Sequence, residues 1–433
     1  MSHELSLLFI LFFTKNLNLA DTVYYVDSIN GEDNRSGKTP KSAWKSVHRV
    51  TNAMSGYGVK EIEVGSKILF IRGGVFRDDS LIIRKGGTEK SHMLIGSYGD
   101  KNLPKPLFQN VDIYIGEPLI EYIDIEDIRL NDISDGTAVS FNQKGLKNIT
   151  ISRLDINNTK QNAIFLTSVD GYIIQDCNIS NIGLSGIVIY GADNKEWPLI
   201  KNGIIRRNQI KYTNPIYGDG ITLHKSDNKE LNDIGSNHLL EKNSIGFCGE
   251  NAYDIDSGDS IKIIKCEGYN SGLAEVSIEN ASNVTIEESY FHNGDKNGFD
   301  VGKYSNNIII RRNVIKNMKF RPFVIGDSSH EGEVFYKTIH DVKIYNNWVY
   351  HSSNHEIIRV SNGSEKITYK DNISISTTDN RFIYYEDDLT PENTDSFFEN
   401  NIWHRPNSNS DDFAYINGKD MGFFKWQTTY EDN

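Results

Sequence analysis

Residues 297–315 read NGFDVGKYSNNIIIRRNVI. The stretch holds two short runs that alternate apolar and polar side chains, Phe299-Asp300-Val301 and Ile308–Arg311, joined by a Gly, Ser and Asn turn and closed by Asn313. Period-two alternation over three to five residues marks strands with one buried face. The same phrase occurs at 162–179, NAIFLTSVDGYIIQDCNI, and from Asp219, DGITLHKSDN, which resumes after an insertion at His238 as HLLEKNSI. Aligning the residue that closes the second strand gives one column: Leu154, Cys177, Asn208, Asn243, Cys266, Ser289, Asn313, Asn347, Asn372 and Asn401. Cys177 follows Leu154 by 23 residues, and Cys266 and Ser289 keep the same spacing after Asn243. Such a period, with polar turns between strands, leaves no room for helices.

Strands this short bury no face alone. Stacked as successive coils, they share a continuous core and satisfy one another's backbone groups. The inward pairs of the first strand are Ile164/Leu166, Ile187/Ile189, Ile221/Leu223, Tyr253/Ile255, Val276/Ile278, Phe299/Val301 and Phe323/Ile325. The pattern predicts an all-β parallel solenoid of about ten coils.

The pattern resembles the pectate-lyase-like right-handed parallel β-helix proteins, and the column of Asn313, Asn347 and Asn372 resembles their asparagine ladder. A buried amide needs a partner, and a neighbour one coil away, about 4.8 Å, supplies it. Cys177, Cys266 and Ser289 then read as small ladder substitutes. The resemblance covers roughly residues 130–405. Tyr24–Val50, with Trp44, is similar to the opening segment that seals one end in many exported members. Asn417–Asn433 resembles a closing aromatic helix that usually continues further. The implied organisation is a signal peptide at 1–20, a cap with first coils at 21–130, the β-helix at 131–405 and a capping segment at 406–433.

The rest of the 433-residue chain narrows the function. It carries 46 basic and 59 acidic side chains, a net charge of −13, which argues against a nucleic-acid partner held through a broad basic face. Residues 5–13, LSLLFILFF, are too short to span a bilayer and fit the apolar region of a signal peptide, although no Lys or Arg precedes them. The expectation is a secreted or cell-surface protein without a membrane span. Three cysteines are too few for a disulfide scaffold.

In relatives of this kind, active sites lie on the sheet built from the first strands. Two features of this chain point to the same sheet. The longest insertions, 191–202, 225–237, 327–341 and 386–395, follow that strand, and long loops on a rigid scaffold often carry function. The outward residues between the inward pairs are Phe165, Val188, Thr222, Asp254, Ser277, Asp300 and Val324; two positions further lie Thr167, Tyr190, His224, Asp256, Glu279, Gly302 and Gly326. Asp254, Asp256, Glu279, Asp300 and His224 therefore gather on the middle coils. Like charges on adjacent strands repel, so a cation, a shared proton or solvation must relieve them.

The first functional expectation, in line with the resemblance, is a lyase that cleaves an acidic polysaccharide by β-elimination. Asp254, Asp256, Glu279 and Asp300 would hold Ca²⁺, an ion that takes 6–8 oxygen ligands. Lys303, Lys225, His224 and Arg359 are the candidates for base or charge stabiliser. The alternatives are a glycoside hydrolase using paired carboxylates on the same sheet and a non-catalytic glycan-binding solenoid. Asn393-Thr394-Asp395 lacks the Gly-His-Gly and Arg-Ile-Lys partners of the galacturonan-hydrolase signature. Tyr190, Trp197, Tyr212, Tyr217 and Tyr269 are placed on or beside the same coils. His330, His340, His351 and His355 have no metal-ligand spacing. The sequence does not specify an oligomeric state.

Overall fold

The computed structural model describes residues 22–55, 62–191, 196–225, 235–326, 339–386, 388–406 and 411–432. The expected leader at 1–20, His330 and most of the insertions at 225–237 and 327–341 lie outside the described residues. Each coil contributes a first, a second and a third strand, and each strand pairs in parallel with its counterpart one coil on. Ile187–Tyr190, for example, pairs with Ile221–His224, Lys201–Arg206 with Ser236–Glu241, and Gln209–Lys211 with Ser244–Gly246. Three parallel sheets result, wrapped round one core: the right-handed β-helix that the repeat predicts.

The register of the first sheet matches the sequence reading. Ile164, Ile187, Ile221, Tyr253, Val276, Phe299 and Phe323 stand one above another, all fully buried. A one-residue slip would turn this whole set to solvent. In the second sheet Gly203 sits between Tyr172 and His238, where a Cβ would come within 2.0 Å of the Tyr172 ring. The Tyr172 hydroxyl meets His238 Nδ1 at 2.9 Å, and burial lowers the His238 imidazole to about 4, so it is neutral.

The ladder column forms as expected. Asn208 Nδ2 donates to Asn243 Oδ1 at 3.1 Å, Asn313 to Asn347 at 3.1 Å, Asn347 to Asn372 at 3.0 Å and Asn372 to Asn401 at 3.3 Å. Each Oδ1 also accepts the backbone N–H of the preceding rung, as Asn347 does from Asn313 at 3.0 Å. Ser289 substitutes with its hydroxyl, accepting from Cys266 N at 3.0 Å. Cys177, Cys248 and Cys266 are buried free thiols. Immediately before each rung the backbone turns left-handed, at Asp176, Arg207, Lys242, Lys265, Glu288, Arg312, Asn346, Asp371 and Asn400. Non-glycine residues adopt this conformation at a cost of about 1–2 kcal/mol, which the paired rungs offset.

The ends are closed. Trp44 is buried, stacked on Tyr24 at 4.9 Å, ahead of the helix Val47–Ser55. At the other end the helix Phe423–Tyr430 lays Trp426 against Phe398 and Phe413. No helix among the described residues is long and apolar enough to cross a membrane.

Candidate active site

The first sheet presents two outward columns. In one, Phe165, Val188, Thr222, Asp254, Ser277, Asp300, Val324, Arg359, Tyr384 and Tyr415 follow in register. The second runs two residues further along each strand, through Tyr190 and His224 and, on the next coils, Asp256, Glu279 and Gly302, whose N–H groups keep the ladder by donating to Leu223, Ile255 and Ile278 carbonyls. All four carboxylates read from the sequence thus share one face, on three consecutive coils.

Each acid has its own surroundings. Thr222 Oγ1 donates to Asp254 Oδ2 at 2.9 Å. Burial pushes the Asp254 carboxyl up to about 6; Thr222 and His224 work against that shift, while Asp256 and Glu279 add to it. Asp256 accepts from Asn280 Nδ2 at 2.9 Å and lies 3.3 Å from His224 Nδ1. Asn297 Nδ2 donates to both oxygens of Asp300, at 2.9 and 3.2 Å. Burial pushes Asp300 up to about 6 as well; Asn297 and Arg321 oppose the rise and Glu279 contributes to it. Glu279 is therefore the common neighbour of both raised acids. Gly302 makes this placement possible: a Cβ there would come within 2.9 Å of Glu279 Cγ.

Among the described residues, no three of His, Cys, Asp and Glu come together closely enough to hold a metal ion. Asp254, Asp256 and Asp300 take protein hydrogen-bond partners, Thr222, Asn280 and Asn297. Of the four basic candidates, His224 lies against Tyr190 with rings tilted at 5.7 Å and is 3.3 Å from Asp256. Lys225 follows it, half-buried. Lys303 follows Gly302 at the end of the strand carrying Asp300 and makes no ion pair among the described residues. Arg359 stands two coils beyond Asp300, bonded to Glu386 at 2.8 Å and stacked over Tyr384; that pairing takes it away from the acids.

Rings flank the acids on both sides. Phe165, Tyr190 and His224 follow one another with tilted rings at 5.6 and 5.7 Å, and Tyr384 stacks on Tyr415 at 4.9 Å. Tyr212 and Tyr269, expected on or beside these coils, lie on the third-strand side, against Phe247. His351 is buried, bonded to the His355 carbonyl.

Sequence reading missed Asn280, Asn297, Arg321 and Asp219. The last is nearly buried and accepts both Asn251 N and Nδ2 at 2.9 and 3.2 Å. Burial, and then the charge of Asp254, pushes it to about 8. A signal was present: two residues before each first strand stand Asn162, Ser185, Asp219, Asn251 and Asn297, a second polar ladder in which each oxygen accepts the next coil's N–H.

A family model described as a right-handed β-helix region matches residues 232–364. A lacto-N-biosidase of Bifidobacterium longum is 30% identical over 95 residues, a stretch that is 22% of this chain and only 6% of that protein. Three solved structures share the fold. The A-module of a mannuronan C-5 epimerase from Azotobacter vinelandii gives a TM-score of 0.56 at 13% identity, covering 83% of this chain and 96% of that one. A mannuronic-acid-specific family 6 polysaccharide lyase from the human gut microbiota gives 0.53 at 12%, covering 90% and 88%. A GH136 lacto-N-biosidase from Eubacterium ramulus gives 0.51 at 14%, covering 88% and 68%. The resemblance to pectate-lyase-like right-handed β-helix proteins holds, and these neighbours are carbohydrate-active enzymes of several reaction types.

Proposed function

We propose that this protein hydrolyses a glycosidic bond in a polysaccharide bound along its first sheet, with Asp254 and Asp300 as the reacting carboxyl pair. The observation that carries the reading is that these two acids flank Ser277 in one outward column and are both raised to about 6. Groups tuned near the working pH make efficient proton donors and acceptors. Two coils separate their backbones by about 9.6 Å, close to the 6.5–9.5 Å carboxyl separation of inverting glycosidases. One acid protonates the leaving oxygen while the other, ionised, draws a proton from water on the opposite face of the sugar. Glu279 between them adds to both rises, which favours the singly protonated pair near pH 6. The rings of Tyr190 on one side and Tyr384 on the other supply stacking surfaces for sugar units away from the cleaved bond.

The test is release of reducing ends from pectin, alginate and xylan, followed by NMR of the first-formed anomer. Inverted product and insensitivity to chelator are expected. Asp254→Asn and Asp300→Asn should each lower turnover by roughly 10²–10⁴-fold. Release of unsaturated, ultraviolet-absorbing ends overturns hydrolysis. It would favour the second reading, β-elimination of an acidic glycan with Lys303 as base, which rests on that amine's lack of an ion-pair partner among the described residues.

A further inference from the structure

On the third sheet, away from the acids, one outward column changes character halfway along the solenoid. Asn178, Gln209, Ser244 and Glu267 give way to Tyr290, Val314, Trp348, Ile373 and Ile402, in unbroken register. Core packing does not explain the change, because these side chains point outward: Trp348 is 53% exposed and Tyr290 37%. Around them the surface is concave, a groove of about 650 Å³.

The groove is built of rings with polar handles, not of aliphatic surface alone. Tyr290, Trp348 and Tyr350 line it with Lys316, Asn317 and Ser352. Among the described residues, no ring stacks on Trp348. Tyr290 is braced from one side by His292 at 4.2 Å, and the Lys316 ammonium lies 5.8 Å from the Tyr350 ring centre. Ser352 Oγ donates to Asn317 Oδ1 at 3.4 Å and Asn317 Nδ2 donates to Asn293 Oδ1 at 3.3 Å, which leaves the Ser352 hydroxyl able to accept and the Asn317 amide a second N–H to donate.

We propose that this groove is a second, non-catalytic glycan-binding site that holds two or three sugar units of a chain carrying acidic groups. The occupant follows from the chemistry. A pyranose has apolar C–H faces, which lie on exposed rings, and an equatorial rim of hydroxyls, which needs donors and acceptors such as Lys316, Asn317 and Ser352. Tyr290 and Trp348 stand two coils apart, about 9.6 Å, and a sugar unit advances its chain by about the height of one coil, so both rings fit one chain running along the solenoid. The groove's volume is that of a small-ligand site, whereas a stable protein partner would need roughly 800 Å² of each surface. Lys316 is the cation of the groove, in a protein of net charge −13, and selects for an acidic sugar over a neutral one. The assignment shares with the proposed function the premise that the ligand is a glycan, but not the chemistry at Asp254.

Affinity electrophoresis of the Asp254→Asn protein through gels containing alginate, pectin or xylan tests it, with Trp348→Ala and Lys316→Ala added singly. Retardation by an acidic polymer should weaken about tenfold or more on removing Trp348, as loss of an anchoring aromatic does. Removing Lys316 should weaken it for alginate and pectin but not for xylan. No retardation by any of the three polymers, or retardation that Trp348→Ala leaves unchanged, overturns the site. Sedimentation gives an independent check: a dimer that Trp348→Ala dissolves would identify the groove as a contact between copies and overturn the glycan assignment. Failure of hydrolysis with intact, Trp348-dependent retardation would reject the proposed reaction and leave this site standing.

Discussion

Replacing one rung of the asparagine ladder is the most direct test of what holds the solenoid together. Asn347 accepts two hydrogen bonds from the preceding rung, from Asn313 N at 3.0 Å and Asn313 Nδ2 at 3.1 Å, and donates to the Ile310 carbonyl at 2.9 Å. Asn347→Ala leaves both Asn313 donors facing the shortened side chain. A buried donor without a partner costs about 1–3 kcal/mol, so two put the loss at roughly 2–5 kcal/mol. Asn347→Ser should cost about half as much, because a serine hydroxyl in this column accepts one backbone N–H, as Ser289 does from Cys266. Ser289→Ala, which orphans only the Cys266 N–H, should match the serine variant and not the alanine one. Urea unfolding gives the ranking. Amide hydrogen exchange at Asn313 localises it, since coils couple mainly to their neighbours and need not unfold as one unit. Equal midpoints for Asn347→Ala and wild type, or unchanged protection at Asn313, would refute the claim that the ladder's amides are paired for stability.

Four further outcomes follow from the same geometry. Asp254→Asn should lose turnover without lowering the melting temperature, because it removes a part-buried negative charge beside Asp256 and Glu279; a lowered melting temperature would mean that the carboxylate is structural. Hydrolysis should be bell-shaped in pH with its maximum near 6, since both Asp254 and Asp300 sit at about 6 and one must hold a proton while the other does not; a flat profile from pH 5 to pH 8 contradicts the pairing. Glu275 is fully buried, bonded by Ser271, and raised to about 8 from its ordinary 4.5. Its stabilising contribution is complete below about 4.5 and is lost as pH rises towards 8, at about 1.4 kcal/mol per pH unit. Glu275→Gln, measured by denaturant unfolding at several pH values, should remove that slope. Gly203→Ala should destabilise by about 1–3 kcal/mol through overpacking against Tyr172, read as a fall in melting temperature.

The fold was legible because a solenoid writes its register into the sequence once per coil. Tyr253-Asp254-Ile255-Asp256 alternates cleanly, and the structure keeps every inward pair where the alternation placed it. The acidic face was legible for the same reason: outward residues of successive coils align with no knowledge of loops. The sequence could not show how each acid is relieved. Asn297 lies three residues from Asp300 along one strand, but Asn280 reaches Asp256 across a coil boundary, and Arg321 reaches Asp300 the same way. Burial was also invisible. Outward position on a strand suggests solvation, yet neighbouring strands cover Asp254 and Asp300 enough to raise both. Side-chain convergence among the four acids was invisible too, because backbone spacing does not determine it.

The polar columns of this β-helix divide into those that hold the stack and those the stack leaves free. The asparagine ladder and the second ladder through Asn162, Ser185 and Asn251 are closed systems: each oxygen is taken by a neighbouring coil, the preceding one in the first ladder and the next one in the second, so a substitution there is felt as stability. The outward columns carry no such obligation, and they change character abruptly, at Asp254 on the first sheet and at Tyr290 on the third. Asp219 is where the two kinds meet. It occupies a ladder position that Asn251 fills one coil on, and an asparagine would make the same two hydrogen bonds through Oδ1 without the cost of a buried acid. An ionisable group at that place adds nothing to the ladder, and burial followed by the charge of Asp254 raises its carboxyl to about 8. Through that charge the carboxyl at 219 links the second ladder to the candidate active face.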